Sequence, residues 1–360
     1  MGFNCGIVGL PNAGKSTIFN ALTKAGAQTA SYPFCTIEPN TGIAKVPDER
    51  LDKIAEIVKP DKVVPATLQF TDIAGLVKGA SKGEGLGNQF LSHIRNVDAV
   101  MHILRAFNDE NITHSYNEIN PLKDAEIVNT ELLLADLQTV EKRLDKAKTS
   151  AKSGDKRLRQ LVEDLEKIKM EIERGVSARN IPEVSKIPDL FLLTRKPVLY
   201  VINIDETDTE RNKNLENLIS EIQLKEKSQA ITICGKLEEE ALELEEDERK
   251  EFLKEMGINE SALEKIIKSG YSLLDLITFF TTRSKEVRAW TIKRGATAYD
   301  AAGKIHTDFQ RGFIKAEIYP YEDLIKLGSE HLVREKGLMK LEGKEYVVKD
   351  GDIIHFKFNV

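Results

Sequence analysis

Cysteine is scarce in this chain: three residues in 360, Cys5, Cys35 and Cys234, far apart and forming no CxxC pair. That argues against a disulfide framework and against structural zinc, and it favours a reducing compartment. Long apolar runs are missing too, so no membrane span is expected, and the first residues lack the basic stretch and apolar core of a secretory signal. A cytoplasmic location is the expectation. Nor is there a surplus of positive charge: 52 Lys and Arg stand against 58 Asp and Glu, a net charge of −6, which gives no global sign of a nucleic-acid partner. Internal repeats are absent, and the only biased segment is the acidic run from Glu238 to Glu251.

What is present is a soluble globular composition, 41% hydrophobic and 31% charged, over a length that suits two or three domains. Gly9-Leu10-Pro11-Asn12-Ala13-Gly14-Lys15-Ser16 is a complete GxxxxGKS phosphate-binding loop. Backbone that wraps closely around a polyphosphate needs glycine where a side chain would block the approach, and Gly9 and Gly14 fill those places. Successive main-chain NH groups and the positive end of the following helix favour an anion. Asn12, Ala13, Gly14, Lys15, Ser16 and Thr17 are therefore the expected nucleotide contacts, with Lys15 charging the beta and gamma phosphates and Ser16 offering its hydroxyl to Mg2+. An apolar run from Phe3 to Val8 precedes the loop and a helical pattern from Lys15 to Lys24 follows it, the order this motif requires.

Strand-like runs at Phe3 to Val8, Thr67 to Ile73, Ala99 to Leu104, Val198 to Asn203 and Ala230 to Cys234 alternate with helical stretches, the pattern of a doubly wound α/β sheet. Between the third and fourth runs, Leu137, Val140, Leu144, Ala147 and Ala151 step by 3 and 4, as do Leu158, Leu161, Leu165, Ile168 and Ile172, with Ser153-Gly154-Asp155 as a turn. This predicts an antiparallel coiled-coil hairpin, an insertion over about residues 126–186. Eight Lys or Arg against Asp145 and Asp155 crowd residues 142–159, a basic tip suited to RNA, or else a solvated helical face. After Phe279, short alternating segments at Val287 to Thr291, Phe313 to Ile318, Tyr346 to Val348 and Ile353 to Phe358, with a helix near Ala298 to Gln310, predict a small mixed sheet. The expected domains are 1–278, interrupted by the hairpin, and 279–360.

Two further motifs and two departures refine the chemistry. Asp72-Ile73-Ala74-Gly75 is a DxxG switch, its Asp72 reaching Mg2+ through a water and its Gly75 NH sensing the gamma phosphate; Thr36, between the loop and DxxG, is a further Mg2+ ligand candidate. A guanine-reading NKxD is missing: Asn203-Ile204-Asp205-Glu206 stands there, so the acceptor for guanine N1 and N2 is misplaced, while Asn203 and nearby backbone can serve adenine. The Gln that often follows DxxG is replaced by Leu76, which cannot orient water. His114, in the polar stretch beyond a strand end, is the histidine placed to do so, against the plain alternative of a loop residue; His102, inside an apolar strand, reads as core.

These residues, with Pro33 to Asn40, Asp72 to Phe90 and the ending Asp350-Gly351-Asp352 to Asn359-Val360, resemble the Obg-like ATPase family along the whole chain. The resemblance implies a P-loop NTPase G domain with a coiled-coil insertion, a C-terminal β-grasp TGS domain, preference for ATP over GTP, and association with the ribosome. It also points to His114 as the water-orienting group. Asn12 is a candidate ligand for K+ beside the phosphates, a plain loop Asn being the alternative. A GTPase of relaxed base specificity and a nucleotide-bound RNA or ribosome adaptor with negligible turnover are the competing readings.

Overall fold

A computed structural model describes residues 3–27, 41–73, 86–109, 112, 118–152, 155–206, 211–256, 261–283 and 285–359. Thr36, Ala74 to Gly85 and His114 lie outside them, and so does the turn Ser153-Gly154. The chain divides into two compact units, Met1–Ile43 with Gln69–Ile266, and Ala44–Leu68 with Ile267–Val360.

The strands are β1 (Asn4–Val8), β2 (Thr41–Lys45), β3 (Lys62–Val64), β4 (Thr67–Asp72), β5 (Ala99–Arg105), β6 (Val198–Asn203), β7 (Gln229–Ile233), β8 (Leu276–Arg283), β9 (Glu286–Lys293), β10 (Phe313–Pro320), β11 (Lys340–Glu342) and β12 (Asp352–Phe358). The helices that concern the site are α1 (Lys15–Ala27), α2 (Glu49–Val58), α3 (Leu86–Asn96), α4 (Pro121–Ala151), α5 (Lys156–Glu173), α6 (Arg211–Glu226) and α7 (Gly235–Ala241). None among the described residues is long and apolar enough to cross a membrane.

In the first sheet the order is β2-β4-β1-β5-β6-β7, and β1 pairs in parallel with both β4 and β5. β5 and β6 are buried at every position, as strands covered on both faces must be. The chain leaves β1 for β4 on one side and then crosses to β5 on the other, so the sheet's switch point falls at β1, where the phosphate loop begins. Val8, Leu10, Ile73, Val100, Leu104, Val128, Leu132, Tyr200 and Ile202 belong to the core packed around it. His102 is buried here, as its apolar strand suggests, its imidazole pushed down to about 3 chiefly by burial.

α4 and α5 pack along each other antiparallel, since Glu141 pairs with Lys169 while Lys148, further on, pairs with the earlier Glu166, each at 2.8 Å. The stepping apolar residues make this seam: Val140, Leu144, Ala147, Leu165, Ile168 and Ile172 are buried, Leu137 and Leu161 half-buried. The inserted segment begins at Pro121, capped by Asn120 Oδ1 on Lys123 N at 3.1 Å, a few residues before the sequence expectation. Its return path closes over the seam with Ile181, Val184, Ile187, Leu190 and Leu192. Asp136, fully buried in α4, anchors that path by accepting from Leu193 N at 2.6 Å, Thr194 N at 2.8 Å and Thr194 Oγ1 at 2.7 Å.

The second unit holds a mixed sheet ordered β11-β10-β12-β8-β9-β3, antiparallel except for the β12–β8 and β3–β9 pairs. β8, which begins at Leu276 before the expected boundary at 279, is a strand that the sequence pattern does not single out, and Tyr346 to Val348 contributes only an isolated bridge from Val347 to Thr297. The expected helix near Ala298 to Gln310 is two, Ala298–Ile305 and Thr307–Arg311, because His306 is extended at φ −162°. Ala44–Leu68 joins this unit through the β3–β9 pairing and through Arg50 on α2, which reaches Asp350 at 2.9 Å and Asp48 at 2.8 Å, while Asp350 also accepts from Thr278 N at 2.9 Å.

Candidate nucleotide-binding site

The phosphate loop connects β1 to α1 and owes its course to conformations few residues adopt. Gly14 has φ +90°, and a Cβ there would stand 2.2 Å from Asn203 Nδ2; a Cβ on Gly9 would stand 2.5 Å from Ile103 O. Asn12 takes φ +65°, the left-handed region that asparagine tolerates better than most residues. The loop passes directly into helix, with Ile18 N donating to Gly14 O at 3.0 Å, so the free amides of the first turn point toward the loop mouth.

Lys15 Nζ folds back onto Leu10 O at 2.8 Å, half-buried, with its pKa lowered by burial against the opposing pull of Asp72. Ser16 Oγ lies 3.3 Å from Asp72 Oδ2, bringing together two oxygen groups that are 56 positions apart in the sequence. Burial raises the Asp72 pKa, and Lys15 and the Ser16 hydrogen bond pull it back. One hydroxyl, one carboxylate and the oxygens of a polyphosphate are the donor set Mg2+ takes, since that ion keeps several waters and rarely asks for a full protein cage. Ser16 and Asp72 fit it.

A cavity of about 580 Å3 opens over these groups, a volume suited to a small-molecule ligand. Asn12, Gly14, Lys15, Ser16 and Thr17 line one end; Asn203, Ile204, Asp205, Cys234, Lys236 and Glu239 line the other. Sequence reasoning brought Asn203, Ile204 and Glu206 to the base, and the structure distributes them differently. Asn203 is buried and braced, donating from Nδ2 to Ala13 O at 3.2 Å and accepting at Oδ1 from Gly235 N at 3.0 Å. Its amide therefore clamps the phosphate loop to the start of α7, where the sequence reading had it serving adenine. Glu206 is engaged with Lys236 Nζ at 3.1 Å beside the cavity, while its neighbours Ile204 and Asp205 face the opening.

The loop after β5 supplies Phe107, Asn108, Asp109 and Ile112 to the wall, residues that no motif announces. Their organiser is Arg105, the last residue of β5 and 1% exposed. Its guanidinium donates to Phe107 O at 3.2 Å and Ile112 O at 3.0 Å and stacks over the Phe107 ring at 4.5 Å. A cation closing an apolar strand was the available signal, because a buried charge must be satisfied locally. Thr36, Gly75 and His114 lie outside the described residues, although Ile112 brings the described chain close to His114 in sequence.

Comparison with known proteins agrees with this geometry. Residues 4–137 match the family described as 50S ribosome-binding GTPase, and residues 276–359 match the YchF-GTPase C-terminal family, described as a protein of unknown function. Over the full length of both chains, this protein is 52% identical to the ribosome-binding ATPase YchF of Bacillus subtilis and 51% identical to that of Escherichia coli O157:H7. The solved structure of the Schizosaccharomyces pombe YchF GTPase superposes with a TM-score of 0.88 at 40% identity, covering 99% of this chain and 97% of the other.

Proposed function

The chain belongs to the YchF family of Obg-like ATPases, and from that premise we propose that it is a Mg2+-dependent ATP-hydrolysing switch that prefers ATP to GTP and reports its nucleotide state to the ribosome. The observation that carries the ATP preference is the commitment of Glu206 to Lys236. A guanine site needs a carboxylate placed to accept from N1 and N2, whereas Glu206 is one methylene longer than the usual Asp and is drawn toward Lys236, and Ile204 occupies the place of the lysine that would lie along the base. Adenine is then read by backbone groups around Ile204 and Asp205, with Asn203 holding the wall in place.

In the hydrolytic step Lys15 and the loop amides hold the phosphates, and Ser16 with Asp72, the latter through a water, would hold Mg2+, which would supply positive charge to offset that developing on the oxygens. His114 orients the attacking water in this scheme; Thr36 is the further Mg2+ ligand and the Gly75 NH senses the gamma phosphate. Asn12, on the cavity wall, is the candidate K+ ligand. The hairpin and a TGS-type second unit are the surfaces that face the ribosome.

Direct competition of ATP and GTP for the purified protein, with Mg2+ and with chelator, tests the chemistry. Tighter ATP binding that chelation weakens is expected, and equal or tighter GTP binding overturns the base assignment. Co-sedimentation with ribosomes in each nucleotide state tests the partner. Phosphate release that stays negligible even with ribosomes would turn the reading toward a nucleotide-bound adaptor.

A further inference from the structure

The basic run of the hairpin is not one patch. Lys148 is paired with Glu166, and Lys152, Lys156, Arg157 and Arg159 belong to the turn end. Thr139, Lys142, Arg143 and Lys146 lie nearer the root, on one face of α4 by their spacing of three and four, turned away from the buried Val140, Leu144 and Ala147. Together with Arg95 of α3 and with Asp189, Leu190 and Phe191 of the return path they line a separate cavity of about 360 Å3.

Phe191 is the unusual member. It is 80% exposed, while its neighbours Leu190 and Leu192 are buried in the hairpin core. Apolar residues on both sides pin the backbone and turn the ring between them outward, so the phenyl is presented on a support whose backbone is already ordered before binding. Four cations line the groove with it against one carboxylate: Arg143 pairs with Asp189 at 2.6 Å and Arg95 acts on the buried Asp136, while Lys142 and Lys146 have no ion pair among the described residues. An exposed ring beside unpaired cations is the combination that captures unstacked nucleotides, the ring taking a base face and the cations the flanking phosphates. A purely apolar protein contact would leave Lys142 and Lys146 desolvated with no partner.

We propose that this root groove binds a single-stranded segment of RNA, one unpaired base stacking on Phe191 while Lys142, Lys146 and Arg95 hold the adjoining phosphates. The choice of RNA over other single strands rests on the ribosome reading above.

The test uses the full chain and a labelled unstructured oligoribonucleotide, with a duplex of the same length as comparison. Phe191→Ala should weaken single-strand binding about tenfold or more and leave the salt slope unchanged, and Phe191→Trp should retain affinity. Lys142→Ala with Lys146→Ala should flatten the salt slope by about one unit for each phosphate that the groove no longer holds. Phosphate release by the free protein, unchanged in each variant, shows that the fold is intact. Unaltered affinity in Phe191→Ala, full affinity in Phe191→Leu, or equal binding of the duplex overturns the inference. Ribosome co-sedimentation separates the two readings: if Phe191→Ala sediments as the unmodified chain does, the groove fails and the ribosome reading stands. If the unmodified chain does not sediment while oligonucleotide binding still depends on Phe191, the ribosome reading fails and the groove stands.

Discussion

Around the phosphate loop the groups that line the cavity are main-chain amides and half-buried side chains already held by neighbours, whereas along the hairpin the basic and apolar groups of the root groove are exposed side chains mounted on a packed frame. In the cleft, Gly14 is held so close to Asn203 that a single added carbon would collide. On the hairpin, Lys142, Lys146 and Phe191 project from a seam whose packing does not involve them. Substitutions in the cleft should therefore act through backbone geometry and on chemistry, and those on the hairpin through charge and on affinity alone.

The sharpest way to break this contrast is at Gly14 and Lys15. Gly14→Ala forces a side chain into a left-handed conformation and against Asn203, and Lys15→Ala removes the phosphate charge. Each should weaken ATP binding and lower turnover on the order of 100- to 1000-fold, measured by nucleotide titration and phosphate release. An active Gly14→Ala would show that the loop is not built by its backbone.

His114→Ala should lower turnover about 100-fold while leaving ATP affinity nearly unchanged, because water positioning acts mainly in the transition state. A matching loss of affinity would make it a binding residue instead.

Reversing Lys152, Lys156, Arg157 and Arg159 to Glu should weaken ribosome co-sedimentation and flatten its salt dependence by about one unit for each phosphate that the hairpin tip releases, with the ATPase rate of the free protein intact. A change in that rate would mean that the two regions are not independent.

Asn203→Ala leaves Ala13 O and Gly235 N without their side-chain partner, and should cost about 1–3 kcal/mol, read as a lowered melting temperature that bound ATP partly restores.

The smallest effect is expected in the other unit. Glu330, in the second unit, accepts hydrogen bonds from Tyr319, from Thr282 at 2.8 Å and from His355 at 2.6 Å. Burial pushes its pKa up, but the hydrogen bonds of His355, Tyr319 and Thr282 outweigh that and bring it from 4.5 down to about 2. The folded value lies below the unfolded one, so the stabilisation is present above about 4.5 and is lost as pH falls toward about 2. Glu330→Gln should flatten the acid limb of thermal stability over that window and leave neutral-pH turnover alone.

Much of the fold was legible in the sequence where the signal is local. Val198 to Asn203 is a strand with the bounds its apolar run suggests, and the heptad steps of α4 and α5 are the buried seam. β2 and β3 escaped because short strands such as Thr41–Lys45 carry too few apolar residues to show a period. Arg50 offers no signal of its own: its contact with Asp350, 300 positions away, and the pairing of β3 with β9 assign α2 to the second unit, and neither can be read from local spacing.

By itself the sequence determined the phosphate chemistry, since GxxxxGKS is contiguous and each residue's task follows from its place in one strand–loop–helix step. Tertiary structure alone decided what Asn203, Glu206, Arg105 and Phe191 do. Asn203 braces Ala13 and Gly235 because β6 ends beside the phosphate loop. Glu206 is engaged because α7 places Lys236 there, and Phe191 faces outward because two leucines hold its backbone against the hairpin. Such roles depend on which distant atoms satisfy a side chain first, and residue spacing does not encode that.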